Sequence, residues 1–414
     1  MAALLATDPT ARAAAASDPL GLYVHWPFCR AKCPYCDFNS HVSDSVDHAL
    51  WRNLLVRELE TLAPRVGGAA DGTRRLVSIF FGGGTPSLME PETVADVLEA
   101  ARRLFRFNND IEITLEANPT SVEAAKMAAF RQAGITRVSL GVQALDDASL
   151  RFLGREHSAA EALAALDAVR AQFDTVSFDL IYARPEQDLA GWQRELERAI
   201  ALEPVHLSLY QLTIEPTTPF YARHARGEFA LPDDDGAADL YEATQEILGR
   251  AGLPAYEVSN HARPGHECRH NLVYWRYQDY LGIGPGAHGR LSDGRRGAAK
   301  TATRTHRAPT IWLDRVAREG HALVDDAPIP RDEALMEAVL MGLRIDEGLT
   351  EDRCRHLFGA APADLFEAPA LEGLVAAGFL ETAGADIRAT AAGRARLDAV
   401  TARLLQHARP LTGR

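Results

Sequence analysis

Six short β-branched and apolar runs, at residues 22–26, 76–81, 111–116, 137–142, 176–181 and 207–212, alternate with stretches of helical character at 48–62, 92–105, 122–132, 159–172 and 189–202. Strands alternating with helices predict parallel βαβ units. Six such units in sequence predict an α/β fold, a partial (β/α)6 barrel, with a doubly wound sheet as the competing topology. The polar and glycine residues collect at the C-terminal ends of the runs. A cysteine loop follows the first run and Gly82-Gly83-Gly84-Thr85-Pro86-Ser87 the second. The third carries Glu116-Ala117-Asn118-Pro119, the fourth ends in Gly141-Val142-Gln143, the fifth carries Asp179-Leu180-Ile181-Tyr182, and the sixth runs into Tyr210-Gln211-Leu212-Thr213. In barrels of parallel strands the active site lies at this end, so all six elements point at one site.

The cysteine loop has the spacing Cys-x3-Cys-x2-Cys, at Cys29, Cys33 and Cys36. Three thiolates this close can hold three irons of a [4Fe–4S] cube, where ordinary sites of that type use four cysteines, so one iron is left open. An open iron can chelate the amino and carboxylate groups of S-adenosylmethionine, which makes this spacing the radical-SAM motif. That chemistry belongs to the cofactor, with the protein supplying binding and orientation. A structural zinc site would need a fourth Cys or His, for which His41 could serve. Tyr35, just before the third cysteine, is better explained as a stacking surface for adenine. The glycine run lets backbone approach a ligand closely and exposes N–H donors. It suits the carboxylate or amino end of S-adenosylmethionine better than a phosphate, because the Lys-Ser/Thr ending of a P-loop is absent. Glu116 can bind an ammonium or a ribose hydroxyl, and Gln143, Arg155 and Asp179 complete the polar lining.

Composition narrows the class further. The 57 acidic residues against 44 Lys and Arg give a net charge of −13, which disfavours general binding to polyanions such as nucleic acid. No apolar run approaches the roughly 20 residues of a membrane span. Residues 1–20 are Ala-rich without the apolar core of a signal peptide and read as a disordered tail. Five cysteines, three of them in the motif, argue against a disulfide scaffold and for a cytoplasmic location.

Downstream, Gly282-Ile283-Gly284-Pro285-Gly286-Ala287-His288-Gly289 contains a formal GxGxxG, but Pro285 in the turn and the lack of a following βαβ unit argue against a dinucleotide site. A tight loop beside the site is expected instead. The basic segment that follows, with Arg290, Arg295, Arg296, Lys300, Arg304 and Arg307, reads as a solvated linker, with a binding patch as the alternative. Helical patterns at 333–343, 370–377 and 392–405, with short strands at 379–382 and 386–389, predict a winged-helix-like α+β module used for packing or protein contact. Cys354 belongs in its helix core. The expected division is a tail at 1–20, the barrel at 21–290, a linker at 291–329 and the C-terminal domain at 330–414.

With these residues in hand, the chain resembles the coproporphyrinogen III oxidase-like group of radical-SAM proteins, and most closely its haem-chaperone branch. The resemblance runs from about Gly21 to the C-terminus and rests on Tyr23-Val24-His25-Trp26-Pro27-Phe28-Cys29 together with the strand-end motifs above. It implies Cys29, Cys33 and Cys36 as cluster ligands, and Tyr23, Tyr35, Gly83, Gly84, Thr85, Glu116, Gln143, Arg155 and Asp179 around S-adenosylmethionine. Phe38 stands where the oxidase motif has a fourth cysteine, and the oxidase's longer N-terminal extension is missing. Ala183 stands where the group more often has glycine, which predicts altered loop geometry there.

His270-Asn271-Leu272-Val273-Tyr274-Trp275 is similar to the HNxxYW motif of the chaperone branch. A neutral imidazole can ligate haem iron and aromatic rings can line a flat macrocycle, so His270, Tyr274 and Trp275 are candidate haem contacts, with Cys268 and His288 as further ones. The resemblance implies a haem chaperone that carries a [4Fe–4S] cluster, S-adenosylmethionine and haem, and delivers haem to an acceptor haem protein, membrane-associated respiratory proteins included. The alternative is an enzyme, an oxygen-independent coproporphyrinogen III dehydrogenase. Phe38 and the HNxxYW run favour the first. A radical-SAM RNA-modifying enzyme comes last, since the chain lacks a basic or aromatic RNA platform.

Overall fold

A computed structural model describes residues 19–43, 45–66, 74–292 and 297–411. Of the tail expected at 1–20, residues 1–18 lie outside this range, while Pro19 and Leu20 already belong to the first strand. The six expected strands form as β1 (Pro19–Trp26), β2 (Arg75–Gly83), β3 (Arg106–Ala117), β4 (Arg137–Gln143), β5 (Thr175–Tyr182) and β6 (His206–Gln211). Each pairs in parallel with the next. Sheet order follows sequence order through all six, without the reversal of a doubly wound sheet.

The helices between them are α1 (His48–Leu62), α2 (Pro91–Leu104), α3 (Ser121–Ala133), α4 (Ala159–Arg170) and α5 (Leu189–Ala201). Asp47, Thr120, Ser158 and Asp188 cap four of these N-termini, accepting from the amides of Leu50, Glu123, Glu161 and Gly191. Each such cap contributes about 1 kcal/mol. Leu55 and Leu59 of α1, Val94 and Leu98 of α2 and Trp192 and Leu196 of α5 are fully buried in one core with Leu22, Val24, Phe81 and Leu115 of the strands. β1 and β5 are buried at nearly every position, as expected of parallel strands covered on both faces.

The sheet continues beyond six strands. β7 (Asn260–Ala262) runs antiparallel to β6, and the chain then returns to the opposite flank, where β8 (Asp279–Ile283) lies parallel to β1. β9 (His288–Leu291), β10 (Thr301–Thr305) and β11 (Leu323–Pro328) follow as antiparallel neighbours. The resulting eleven-stranded sheet is open, in the order β11-β10-β9-β8-β1-β2-β3-β4-β5-β6-β7.

Residues 291–329, expected as a linker, therefore carry two strands of the sheet and a helix, Pro309–Glu319. The β-branched residues of β10 are threonines, so a strand pattern there looks polar and its basic neighbours look solvated. Lys300 is in fact buried and paired with Asp279, which also accepts from Arg74 at 2.9 Å. Burial pushes the Asp279 carboxyl up, but these two cations outweigh it and hold the group at about 2. Arg295 and Arg296 lie outside the described residues.

The C-terminal part has its own core. Helices Arg331–Gly342, Glu351–Phe358, Ala368–Ala376 and Leu397–Leu405 enclose Val339, Leu343, Cys354, Phe366 and Leu404, and the hairpin Leu380–Ala383/Asp386–Ala389 covers one side. Tyr277 joins this core from the barrel side, and Arg290 binds Glu337 through two hydrogen bonds of 3.0 and 2.7 Å.

Candidate functional site

The cysteine loop begins where β1 ends. Phe28–Cys29 pairs with His41–Val42, closing the loop at its base, and Cys36 N–H donates to the Cys33 carbonyl at 3.1 Å. The glycine run at the end of β2 packs directly under it. Gly84 N–H donates to the Trp26 carbonyl at 2.7 Å, Thr85 N–H to the Phe28 carbonyl at 2.8 Å, and Gly83 N–H to Glu116 Oε2 at 3.2 Å. These donors are therefore engaged within the protein, and the glycines act through close approach. A Cβ at Gly84 would lie 2.7 Å from the Phe28 carbonyl oxygen, and Gly83, at φ +113°, has no room for one beside the His25 ring. Gly84→Ala is expected to push the cysteine loop off β2. Cluster content after anaerobic reconstitution should fall at least twofold and stability by ~1–3 kcal/mol, measured by iron analysis and thermal unfolding.

Cys29, Cys33 and Cys36, each partly exposed, line one pocket of about 150 Å³ with Tyr35, Gly83, Gly84, Thr85, Glu116, Gln143, Arg155 and Asp179. Thr85 Oγ1 lies 3.4 Å from Cys29 Sγ and Arg155 Nη1 3.4 Å from Cys33 Sγ, so a hydroxyl donor and a cation face the thiols. Arg155 is itself fixed by Asn118 Oδ1 at 2.5 Å and the Gly141 carbonyl at 3.0 Å. Gln143 sits at φ +71°, a left-handed conformation uncommon for a non-glycine residue, at the very end of β4. The floor is acidic. Burial, with Asp179 adding to it, pushes the Glu116 carboxyl up to about 8, and burial raises Asp179 to about 6 against the hydroxyls of Ser208 and Ser139. The Arg137 and Arg155 guanidinium groups pull Asp179 down only in part, so two desolvated acids remain as a receptor for a positively charged ligand such as a sulfonium or an ammonium.

This donor set fits a [4Fe–4S] cube. Each thiolate of a cube binds its own iron, so three sulfurs must ring a pocket instead of meeting at one point. Among the described residues no three His, Cys, Asp or Glu side chains converge on a single metal position, and His41 instead faces Asn39 Oδ1 at 3.2 Å.

A second cavity, of about 610 Å³, adjoins this pocket and shares Phe38, Gly83 and Glu116 with it. Its volume lies within the roughly 300–1,000 Å³ usual for small-molecule sites. Tyr23, Phe80, His270, Tyr274, Trp275 and Tyr280 give it an aromatic lining. Tyr23, expected beside S-adenosylmethionine, belongs to this cavity: its ring stacks on Phe80 at 6.3 Å and its hydroxyl meets His25 Nδ1 at 3.1 Å.

His270 lies on the helix Arg269–Trp275, buried, with Nδ1 on Ser78 Oγ at 2.9 Å and Nε2 on the Tyr274 hydroxyl at 2.7 Å. Burial pushes it down to about 3, so it stays neutral. Cys268, the further candidate, does not line the cavity. It is buried near Tyr256 with its thiol against Glu112 at 3.5 Å, and burial pushes it up to about 12, which disfavours a thiolate ligand. His288, by contrast, lines the cavity from β9 with its side chain exposed. Partial burial and the guanidinium groups of Arg290 and Arg304 hold its imidazole below the usual value. Phe80, Tyr280 and Arg307 are lining residues that sequence reasoning missed. The alternation of β2 was the available signal for Phe80, but it does not say which face looks onto a cavity.

Two family models match the chain: the Radical SAM superfamily over residues 23–198 and the HemN C-terminal domain over residues 329–396. Among curated proteins, the bovine "Radical S-adenosyl methionine domain-containing protein 1, mitochondrial" is 41% identical over 356 residues, 83% of this chain and 79% of that protein. The "Heme chaperone HemW" of Escherichia coli is 43% identical over 281 residues, 67% of this chain and 72% of its own. The chain belongs to the HemN- and HemW-like family of radical-SAM proteins. This family implies a [4Fe–4S] cluster and S-adenosylmethionine, in agreement with the donor set above. Among solved structures, coproporphyrinogen III oxidase (HemN) from Escherichia coli, described as a radical SAM enzyme, superimposes with a TM-score of 0.76 at 24% identity, covering 96% of this chain and 93% of that one. That likeness extends the shared fold through the C-terminal domain. Among the described residues no helix is long and apolar enough to cross a membrane.

Proposed function

We propose that the protein is a haem chaperone, which holds haem in the aromatic cavity, carries a [4Fe–4S] cluster on Cys29, Cys33 and Cys36 with S-adenosylmethionine beside it, and passes haem to an acceptor haem protein. The observation that carries this reading is the shared wall: a largely apolar, aromatic-lined cavity meets the cluster pocket at Phe38, Gly83 and Glu116. A macrocycle there would lie against Tyr23, Phe80, Tyr274 and Trp275. Bound S-adenosylmethionine would supply a cationic sulfonium and, on reduction, a radical. This chain's own part is to receive that ligand's charge with Glu116 and Asp179, to flank its adenine with Tyr35, and to fix Arg155 against the cysteine loop. Phe38, 59% exposed, occupies the place of the oxidase's fourth cysteine and presents a ring to both pockets. Occupancy of the cavity and the state of the cluster loop would thus be coupled through shared side chains, Phe38 and Glu116, which suits a redox-gated handover in the cytoplasm or an equivalent reducing compartment.

One observation favours the second reading, oxidative decarboxylation of coproporphyrinogen III. A cleft of about 1060 Å³ lies over Tyr35 and Asp179 and is bordered by Arg344, Arg394 and Arg396, cations that a polycarboxylate could use. Two of them are already paired, Arg344 with Glu257 at 3.0 Å and Arg394 with Asp346, which weighs against it. Anaerobically reconstituted protein, titrated with haem and separately incubated with coproporphyrinogen III, S-adenosylmethionine and a reductant, distinguishes the two. The expected outcome is one haem bound per chain and no protoporphyrinogen IX. Sustained turnover of coproporphyrinogen III would overturn the chaperone reading.

A further inference from the structure

Three imidazoles line the aromatic cavity, and their hydrogen bonds separate them. His25 is used at both nitrogens, Nδ1 by the Tyr23 hydroxyl at 3.1 Å and Nε2 by the Asn39 carbonyl at 2.9 Å. His270 is likewise used at both, by Ser78 and Tyr274. For either to ligate a metal, a buried hydrogen bond must break and its partner be left unpaired. The His288 side chain has no hydrogen-bond partner among the described residues, and its neutral imidazole keeps a free lone pair.

The cations around the cavity separate in the same way. Arg304 stands directly opposite His288 across the β9–β10 pair, but it is tied to Asp325 at 2.5 Å. Arg290, on the same face of β9, is held by Glu337. Arg307, just past β10, also lines the cavity; its carbonyl is anchored by Asn39 Nδ2 at 3.0 Å, while its guanidinium has no partner among the described residues. A lone-pair donor and an uncommitted guanidinium therefore meet at an aromatic cavity.

We infer that His288 supplies the axial nitrogen to the iron of a haem bound in this cavity and that Arg307 pairs with one of its edge carboxylates, His270 being a positioning residue that holds Tyr274 and the cavity wall. The inference rests on the haem reading above. The iron gains one nitrogen ligand and no electron is transferred. A carboxylate on Arg307 forms the bidentate pair to which a guanidinium is suited.

The test uses the full chain with its cluster reconstituted, and retained iron content and thermal unfolding confirm that each variant is folded. His288→Ala is titrated with ferric haem beside His270→Leu and the parent. His288→Ala should lose the nitrogen-ligated absorption and electron paramagnetic resonance signals, bind haem at least tenfold more weakly, and regain the parent spectrum on addition of free imidazole. His270→Leu should keep the nitrogen-ligated spectrum even where affinity falls. A parent-like spectrum for His288→Ala, or loss of the ligand signature in His270→Leu alone, overturns the assignment and leaves the haem reading intact. Failure of the parent itself to bind haem at one per chain sinks the haem reading, and the assignment with it. Arg307→Gln is compared on haem and on iron protoporphyrin dimethyl ester. The parent should prefer the free acid by about tenfold, the worth of one charge-assisted pair of ~1.4 kcal/mol, and the variant should lose that preference. An unchanged preference removes Arg307 from the site.

Discussion

Cys33→Ala protein should emerge from anaerobic reconstitution colourless, with well under one iron per chain where the parent carries four, and with its fold intact. Cys33 is the middle ligand of the loop and the one that Arg155 faces at 3.4 Å. With Cys29 and Cys36 alone, two corners of a cube would be held by protein, fewer than the three or four on which such clusters depend. The loop itself rests on backbone hydrogen bonds, from Gly84 and Thr85 to Trp26 and Phe28, that do not involve the thiol. Unfolding temperature in the apo form should therefore match the parent's. Iron and sulfide analysis with visible absorption reads the first part, and circular dichroism the second. A variant that keeps four irons and four sulfides would show that the three cysteines are not the ligand set.

The largest effect on stability is expected at Glu58, which no motif marks. This α1 carboxylate is completely buried and accepts from Gly284 N–H at 2.7 Å, Trp312 Nε1–H at 2.9 Å and Ala322 N–H at 3.0 Å. It thereby joins the first helix to the Gly284 turn, the helix Pro309–Glu319 and the approach to β11. Glu58→Leu strands three buried donors, each costing ~1–3 kcal/mol, for a loss of about 3 kcal/mol or more. The unfolding temperature should drop by roughly 5–10 °C. Glu58→Gln keeps one acceptor oxygen and should cost less. Burial outweighs the three donors and raises the carboxyl to about 7. Because its folded value lies above the unfolded one, its contribution is full below about 4.5 and is lost as pH rises through 7. A plot of stability against pH should fall across that window in the parent and flatten in Glu58→Gln. Equal slopes would show that Glu58 does not titrate there.

How much of this could be read in advance divides along physical lines. The six parallel strands were legible because strands buried on both faces must be written in Leu, Val, Ile and Phe, and helix positions 48–62 matched to the residue because Asp47 and the apolar spacing mark them locally. That the three cysteines and the strand-end residues share one pocket was legible because parallel topology sends the C-terminal ends of the strands to one place. β9 to β11 were not, because short strands rich in Thr, Asp and Arg carry no apolar alternation, and β8 was hidden because Gly282 within it belongs to a glycine run that reads as a loop. The state of His270 was also hidden. Its partner Ser78 lies 192 residues away, and only the assembled sheet brings them to 2.9 Å. The same applies to Tyr23, whose cavity depends on the face that β1 turns toward Phe80 and not on the motif that contains it.

The position of β1 inside the sheet, between β2 and β8, also sets how far the chain can be cut back. A fragment ending after β6 would keep every family motif of the cluster pocket, yet it would strip β1 of five paired residues, from Leu20–Asp279 to Val24–Ile283. Leu20, Leu22 and Val24, all fully buried, would then border an unpaired edge with open N–H and C=O groups, the template on which foreign strands add and aggregates grow. Strand β8, from far down the chain, thus covers the edge of β1, and a fragment cut at the boundary the motifs suggest is expected to expose that edge.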